Sequence, residues 1–232
     1  MDVLERVAAL VPTCADRPSV VGITGAVAAG KSTSAARLAE ALAPRAATVV
    51  STDGFLMTNA ELVEHGTFPR KGEPDTYDVE ALADFVRDVR AGTRATAPVY
   101  SHLVYDRVAE ESLVVESVDV LVLEGLHLLH DRFAPVREIL DLSVFLDAAD
   151  VDLEVWYVER LRNLVAEARS TPGAFEFFRS LEPRDCDEVA RMIWTSVNAP
   201  NNARFVRPTR DRADVVIDHG PDHSAVAMAV RE

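Results

Sequence analysis

The sequence predicts an α/β fold, a parallel β-sheet sandwiched between helices with a helical lid above one end. Three observations lead there. The apolar run Ser19 to Ile23 enters a G-x-x-x-x-G-K-S segment, Gly25 to Ser32, and a helix-forming stretch leaves it, the succession of strand, loop and helix that binds phosphate. Further short apolar runs at 47–52, 118–123, 141–147 and 215–217 read as buried strands, and segments between them carry apolar residues at helical spacing. Two acidic residues, Asp53 and Glu124, stand just past strand ends, where an open parallel sheet receives its ligands.

Val3, Leu4, Val7, Ala8 and Val11 recur at helical spacing behind Asp2, so residues 2–11 form an amphipathic helix that covers the sheet. Pro12 to Pro18 connects it to the first strand. In the loop that follows, Gly25 and Gly30 permit tight turns. The backbone of Gly25, Ala26, Val27, Ala28, Ala29, Gly30, Lys31, Ser32 and Thr33 can then direct successive N–H groups at the phosphates of ATP. Lys31 adds a full positive charge, and Ser32 offers a hydroxyl for the Mg²⁺ that bridges the outer phosphates. These features specify a P-loop NTPase fold. Lysine usage agrees: of 24 Lys plus Arg, only Lys31 and Lys71 are lysine, and the planar fork of arginine does not replace a compact ammonium. The helix continues through Ala35, Leu38, Ala39 and Leu42 until Pro44 stops it.

The second strand ends in Ser51-Thr52-Asp53-Gly54-Phe55. Asp53 is placed to accept a hydrogen bond from an alcohol and take its proton late in phosphoryl transfer. Alone it reads as a turn aspartate before glycine; its pairing with the phosphate loop favours catalysis. Residues 66–78, with adjacent Arg70 and Lys71, form a loop near the site, or a solvated charge cluster. Asp78 caps a helix whose buried stripe is Val79, Leu82, Phe85, Val86 and Val89, and Gly92 ends it. The polar and aromatic stretch 97–106 fits a pocket wall holding Tyr100, His102 and Tyr105, although a structural role is the commoner one for each residue type. Glu124 faces the metal through water or caps a neighbouring helix.

A long helix from Asp152 carries Trp156, Tyr157, Arg160, Arg162 and Arg169. It can close as a lid, with arginine neutralising the transferred phosphoryl group and water excluded. Pairing within the helix, such as Glu159 with Arg162, is the simpler role for Arg162 and Arg169. Beyond a break at 171–173, a helix over 188–197 ends in the amide-rich turn Asn198 to Asn202, and residues 207–214 lead into the last strand.

With 232 residues, 48% of them hydrophobic, the chain suffices for a single domain, 1–232. A net charge of −14 provides no basic field for nucleic acid or an anionic membrane. Cys14 and Cys186 form neither a metal-ligand spacing nor a disulfide framework, so reduced thiols are expected. Asp2 and Glu5 interrupt any signal-peptide pattern, and no run approaches a membrane span. A soluble, cytoplasmic protein is expected, with a homodimer left open.

The segments Gly25 to Thr33, Thr52-Asp53-Gly54-Phe55, Arg70-Lys71-Gly72, Tyr77-Asp78, 97–106, Leu123-Glu124-Gly125-Leu126, Trp156-Tyr157 with Arg160, Asn198 and Pro208-Thr209-Arg210 together resemble the type I (bacterial) pantothenate kinases, within the wider group of uridine kinases and phosphoribulokinases. The resemblance runs from about Val20 to Val226. It implies ATP-dependent phosphorylation of the terminal hydroxyl of pantothenate, the first committed step of coenzyme A synthesis. It implies Asp53 as catalytic base, Lys31 and Arg160 as phosphate ligands, Tyr157 and Asn198 as groups that hold pantothenate, and Tyr100, His102 and Tyr105 as pocket residues. The chain departs from the family pattern in a shorter region before the phosphate loop and a shorter segment after Gly125. His127 stands where Asn is usual, Ala36 and Arg37 displace an arginine, and Leu161 and Leu164 replace phenylalanines of the coenzyme A pocket. Weak coenzyme A inhibition is the expectation. Other classes stay open: a kinase of another small alcohol, such as a nucleoside or sugar acid, and a nucleotide-binding regulator without turnover, against which Asp53 and Arg160 argue.

Overall fold

A computed structural model describes residues 2–231. Its strands are β1 (Ser19–Gly25), β2 (Ala47–Ser51), β3 (Ala95–Ser101), β4 (Asp106–Val115), β5 (Val120–Glu124), β6 (Leu142–Asp147), β7 (Val215–His219) and β8 (Ala225–Val230). Six of them form one sheet in the order β2-β5-β1-β6-β7-β8, while β3 and β4 form a separate hairpin. The pairings among β2, β5, β1, β6 and β7 are parallel, and β8 closes one edge antiparallel to β7. Every residue of β1 and β5 is buried, because a parallel sheet with helices on both faces leaves no solvent side and its strands read as continuous apolar runs.

The helices are α1 (Val3–Leu10), α2 (Lys31–Ala41), α3 (Asn59–Glu64), α4 (Val79–Arg90), α5 (Ala134–Arg137), α6 (Asp150–Ala168), α7 (Glu176–Ser180) and α8 (Cys186–Ile193). Asp2 and Glu5 form a capping box at the start of α1. Asp78 accepts from the Ala81 N–H at the start of α4, whose apolar stripe enters the core beside β5. The expected parallel sheet between helices is thus present, and β1 at its centre delivers the phosphate loop.

Three regions differ from the sequence reading. The stretch read as a pocket wall is β3 and the turn into β4; most of β4 is exposed, so neither of its faces is buried enough to impose hydrophobic alternation. The amide-rich segment does not end its helix. Widened turns at Trp194–Asn198 and Asn202–Val206 carry the helical path past Pro200, which has no N–H to donate. Trp156, read as part of a lid, is buried against the β7–β8 turn: its indole donates to the Pro221 carbonyl at 3.1 Å and stacks on His223 at 3.8 Å. The first half of α6 therefore belongs to the sheet core. Its second half, through Val158, Leu161 and Val165, packs with Phe178, Cys186 and Ala190 as a helical cluster beside the β3–β4 turn. The Phe175 N–H donates to the Leu103 carbonyl at 2.7 Å across that junction.

Candidate active site

The site lies beyond the carboxyl ends of β1, β2 and β5. Gly30, at φ +83°, turns the loop into α2, and no side chain caps that helix, so its first N–H groups remain free for an anion. Lys31 Nζ donates to the Ala26 carbonyl of its own loop at 2.8 Å, and Ser32 Oγ donates to Glu124 Oε1 at 3.1 Å. Burial pushes the Lys31 ammonium down to about 8, Arg160 adds to the effect, and Glu124 and Asp53 oppose it. These four charged side chains therefore share one electrostatic neighbourhood.

Asp53 sits in a single tight turn, Thr52–Phe55, whose start is held by the Asp53 N–H donating to Ser51 Oγ at 3.3 Å. The β3–β4 hairpin crosses this turn at contact distance: a Cβ on Gly54 would lie 2.0 Å from the Pro98 carbonyl oxygen. That approach brings the end of β3 and the turn after it to the carboxylate. His102 Nε2 is 3.7 Å from Asp53 Oδ2, and the Tyr100 ring lies edge-on to His102 at 5.2 Å. Desolvation and then the Arg160 charge push His102 down to about 4, so its ring is neutral near pH 7. Burial pushes the phenols of Tyr100, Tyr105 and Tyr157 up and keeps them as neutral hydrogen-bonding groups.

Arg160 has no hydrogen-bonded or ion-paired partner among the described residues, yet its charge acts on Lys31, Tyr100, His102 and Tyr157. Asn198 lies beside the Tyr157 hydroxyl, where its side chain opposes the effect of burial on the phenol, and its buried Nδ2 makes no well-formed hydrogen bond among the described residues. The other helix arginines go elsewhere. Arg162 pairs with Asp187 of α8 at 2.6 Å, across helices and not with Glu159, and Arg169 donates to the Leu181 carbonyl at 3.1 Å.

Three groups escaped the sequence reading or were undervalued by it. Lys71 Nζ donates to Asn59 Oδ1 and the Tyr105 carbonyl, each at 2.6 Å, and lies 5.0 and 4.3 Å from the ring centroids of Tyr100 and Tyr105. The scarcity of lysine was the signal for it. Tyr77, fully buried, donates its hydroxyl to Asp53 Oδ1 at 3.2 Å. His127 Nε2 and Asn201 Nδ2 both donate to the Gly72 carbonyl, at 2.7 and 3.0 Å; no sequence spacing joins residues so far apart.

The hydroxyl of Ser32 and the carboxylate of Glu124 are the hard oxygen donors that Mg²⁺ takes, and their contact fits an ion that keeps waters and phosphates as its remaining ligands. No cluster of three or more His, Cys, Asp or Glu gathers to hold a metal among the described residues. A cavity of about 520 Å³ lies at the opposite, amino end of the strands, between Arg17, Arg45 and Asp119, away from these groups. Among the described residues no helix is long and apolar enough to cross a membrane.

A family model described as the phosphoribulokinase / uridine kinase family matches residues 20–166. Over 93% of the chain and 70% of the relative, the sequence is 40% identical to a protein named pantothenate kinase from Streptomyces coelicolor. It is 38% identical to one of the same name from Bacillus subtilis, over 95% of the chain and 74% of the relative. A solved D-glycerate 3-kinase from Cryptococcus neoformans superposes over the whole of both chains with a TM-score of 0.69 at 16% identity, a likeness of fold. With the phosphate loop, Asp53 and Arg160 inside the matched segment, the chain belongs to the phosphoribulokinase / uridine kinase family and groups within it with proteins named pantothenate kinase.

Proposed function

We propose that the chain transfers the γ-phosphoryl group of ATP to the terminal hydroxyl of pantothenate. The carrying observation is the convergence of the phosphate loop, Glu124 and the Asp53 turn beyond the strand ends, with Ser32 Oγ donating to Glu124 Oε1 at 3.1 Å and Lys31 Nζ held over the loop at 2.8 Å from the Ala26 carbonyl. Identity of 38–41% to relatives named pantothenate kinase supports the choice of acceptor.

In this reading the N–H groups of residues 25–33 and the Lys31 ammonium hold the outer phosphates. Ser32 and Glu124 would hold Mg²⁺, which would supply positive charge against the outer phosphates. Asp53 orients the alcohol and takes its proton. Arg160, unpaired among the described residues, is free to neutralise the phosphoryl group in flight. Tyr100, His102, Tyr105, Tyr157 and Asn198 form the acceptor side, and the Asn198 amide nitrogen, without a hydrogen bond among the described residues, suits an oxygen of the substrate. A buried amide left unpaired costs about 1–3 kcal/mol, which disfavours alcohols lacking the matching oxygen.

The test is ATP consumption in a coupled assay over pantothenate and a panel of small alcohols. Wild-type turnover should be highest with pantothenate, and Asn198→Ala should raise its KM by about tenfold with little change for ATP. Clear activity on another alcohol with none on pantothenate would reassign the acceptor.

A further inference from the structure

The two oxygens of Asp53 keep different company. Oδ1 receives the Tyr77 hydroxyl at 3.2 Å, whereas Oδ2 has His102 Nε2 at 3.7 Å, on a side chain that is 46% exposed. We propose that Tyr77 is a positioning residue for the phosphoryl transfer: by occupying Oδ1 it fixes the carboxylate plane and leaves Oδ2 as the oxygen that receives the alcohol proton.

Several features make Tyr77 suited to this. It is joined by its backbone to the turn that carries Asp53, since Leu56 and Tyr77 pair as an antiparallel bridge, the Asp78 N–H donates to the Phe55 carbonyl at 2.8 Å and the Met57 N–H to the Thr76 carbonyl at 2.9 Å. The ring is held edge-on by Phe133 at 5.4 Å and His127 at 5.7 Å. A phenol locked at both ends has little freedom to follow a wandering carboxylate, so the carboxylate follows it. Burial, and after it the Asp53 charge, push the Tyr77 hydroxyl well above its ordinary range, so it stays a donor at any working pH. A carboxylate has about four lone-pair directions, and a fixed donor on one oxygen reduces the orientations in which the other meets an alcohol.

In the step itself the alcohol O–H bond breaks and its proton passes to Oδ2. The alcohol oxygen's electron pair forms the new bond to the γ-phosphorus, and the bond from that phosphorus to the β,γ-bridging oxygen breaks, its electron pair leaving with ADP. Tyr77 keeps its proton throughout.

The inference rests on Asp53 as the base of a kinase but not on pantothenate, so the test uses whichever alcohol the wild-type protein phosphorylates. It is a double-mutant cycle of Tyr77→Phe, which keeps the buried ring, with Asp53→Asn, each variant checked for a wild-type thermal transition. Tyr77→Phe should lower kcat by about tenfold while both KM values stay within about twofold, and it should cost nothing further in the Asp53→Asn background. The same tenfold loss in that background, or wild-type kcat in the single variant, would overturn the proposal. A mainly structural tyrosine would lower activity equally in both backgrounds. If pantothenate is the wrong acceptor, the wild-type panel reports it before the cycle is run.

Discussion

The Lys31 ammonium donates to the Ala26 carbonyl of its own loop and is pushed down to about 8 by burial; in the kinase we propose, it exchanges that carbonyl for phosphate oxygens. Lys31→Ala should leave a folded protein with turnover reduced at least a hundredfold; near-normal transfer would remove the lysine from the mechanism. Asp53→Asn keeps the shape but loses the negative acceptor, and should lower kcat by about a hundredfold or more with ATP affinity nearly intact. Collapse of ATP affinity with kcat preserved would assign Asp53 to the metal. Lys71 is likewise lowered to about 8, by burial against the opposing Asp106 and Asp53. Both lysines therefore lose charge in the free enzyme as pH rises through about 8, and kcat/KM for ATP should fall by up to tenfold per pH unit above it. Between about 8 and 10.5 the unfolded chain holds more protons on these lysines than the fold does, so their contribution to stability rises with pH there. The fall in kcat/KM is thus not the onset of unfolding through these groups; a profile flat to pH 9.5 would contradict it.

The loop 66–78 is tied down by elements distant in sequence. Gly72 O can only accept, so His127 donates from Nε2, and burial, which pushes that ring down to about 4, keeps it neutral with Nδ1 bare. Asn201 donates to the same oxygen from the far end of the helical path. Since Gly72 follows Lys71, loss of either donor loosens the backbone beside a lysine whose ammonium is still held by Asn59 and the Tyr105 carbonyl. His127→Ala and Asn201→Ala should each raise the acceptor KM severalfold, spare that of ATP, and hasten tryptic cleavage after Arg70 and Lys71; unchanged cleavage would show the loop secured by other contacts. The helical cluster carries its own prediction. Tyr105 stacks on Phe175 at 5.1 Å on one side and has the Lys71 ammonium 4.3 Å from its ring centroid, while Phe178 is buried within the cluster and Leu161 beside it. These rings are engaged with one another, so coenzyme A should inhibit weakly, and tight competition with ATP would refute it.

Across the whole molecule the sheet core and the helical cluster meet at Tyr157, which packs against both. We expect residues 1–232 to unfold in one cooperative transition. A nucleotide that binds the fold alone should raise stability by about 2.7 kcal/mol at a hundred times its Kd, seen as an upward shift in Tm that Lys31→Ala largely abolishes. Two separated transitions, with ATP moving only one, would divide the chain into independent units.

The central sheet, the phosphate loop, the placement of Asp53 and Glu124 at strand ends and the capped helices were legible along the chain, because buried parallel strands, glycine turns and capping residues are local patterns. The sequence also singled out Lys71 by rarity without giving it a partner. It took the packed structure to show that Trp156 belongs to the core, that Arg162 pairs with Asp187 while Arg160 has no partner among the described residues, and that Gly54 must be small to admit Pro98. The contacts of Tyr77 with Asp53, and of His127 and Asn201 with Gly72, were illegible for the same reason. A hydrogen bond between residues 24, 55 or 129 positions apart depends on how strands and loops are stacked in space, and no periodicity along the chain encodes it.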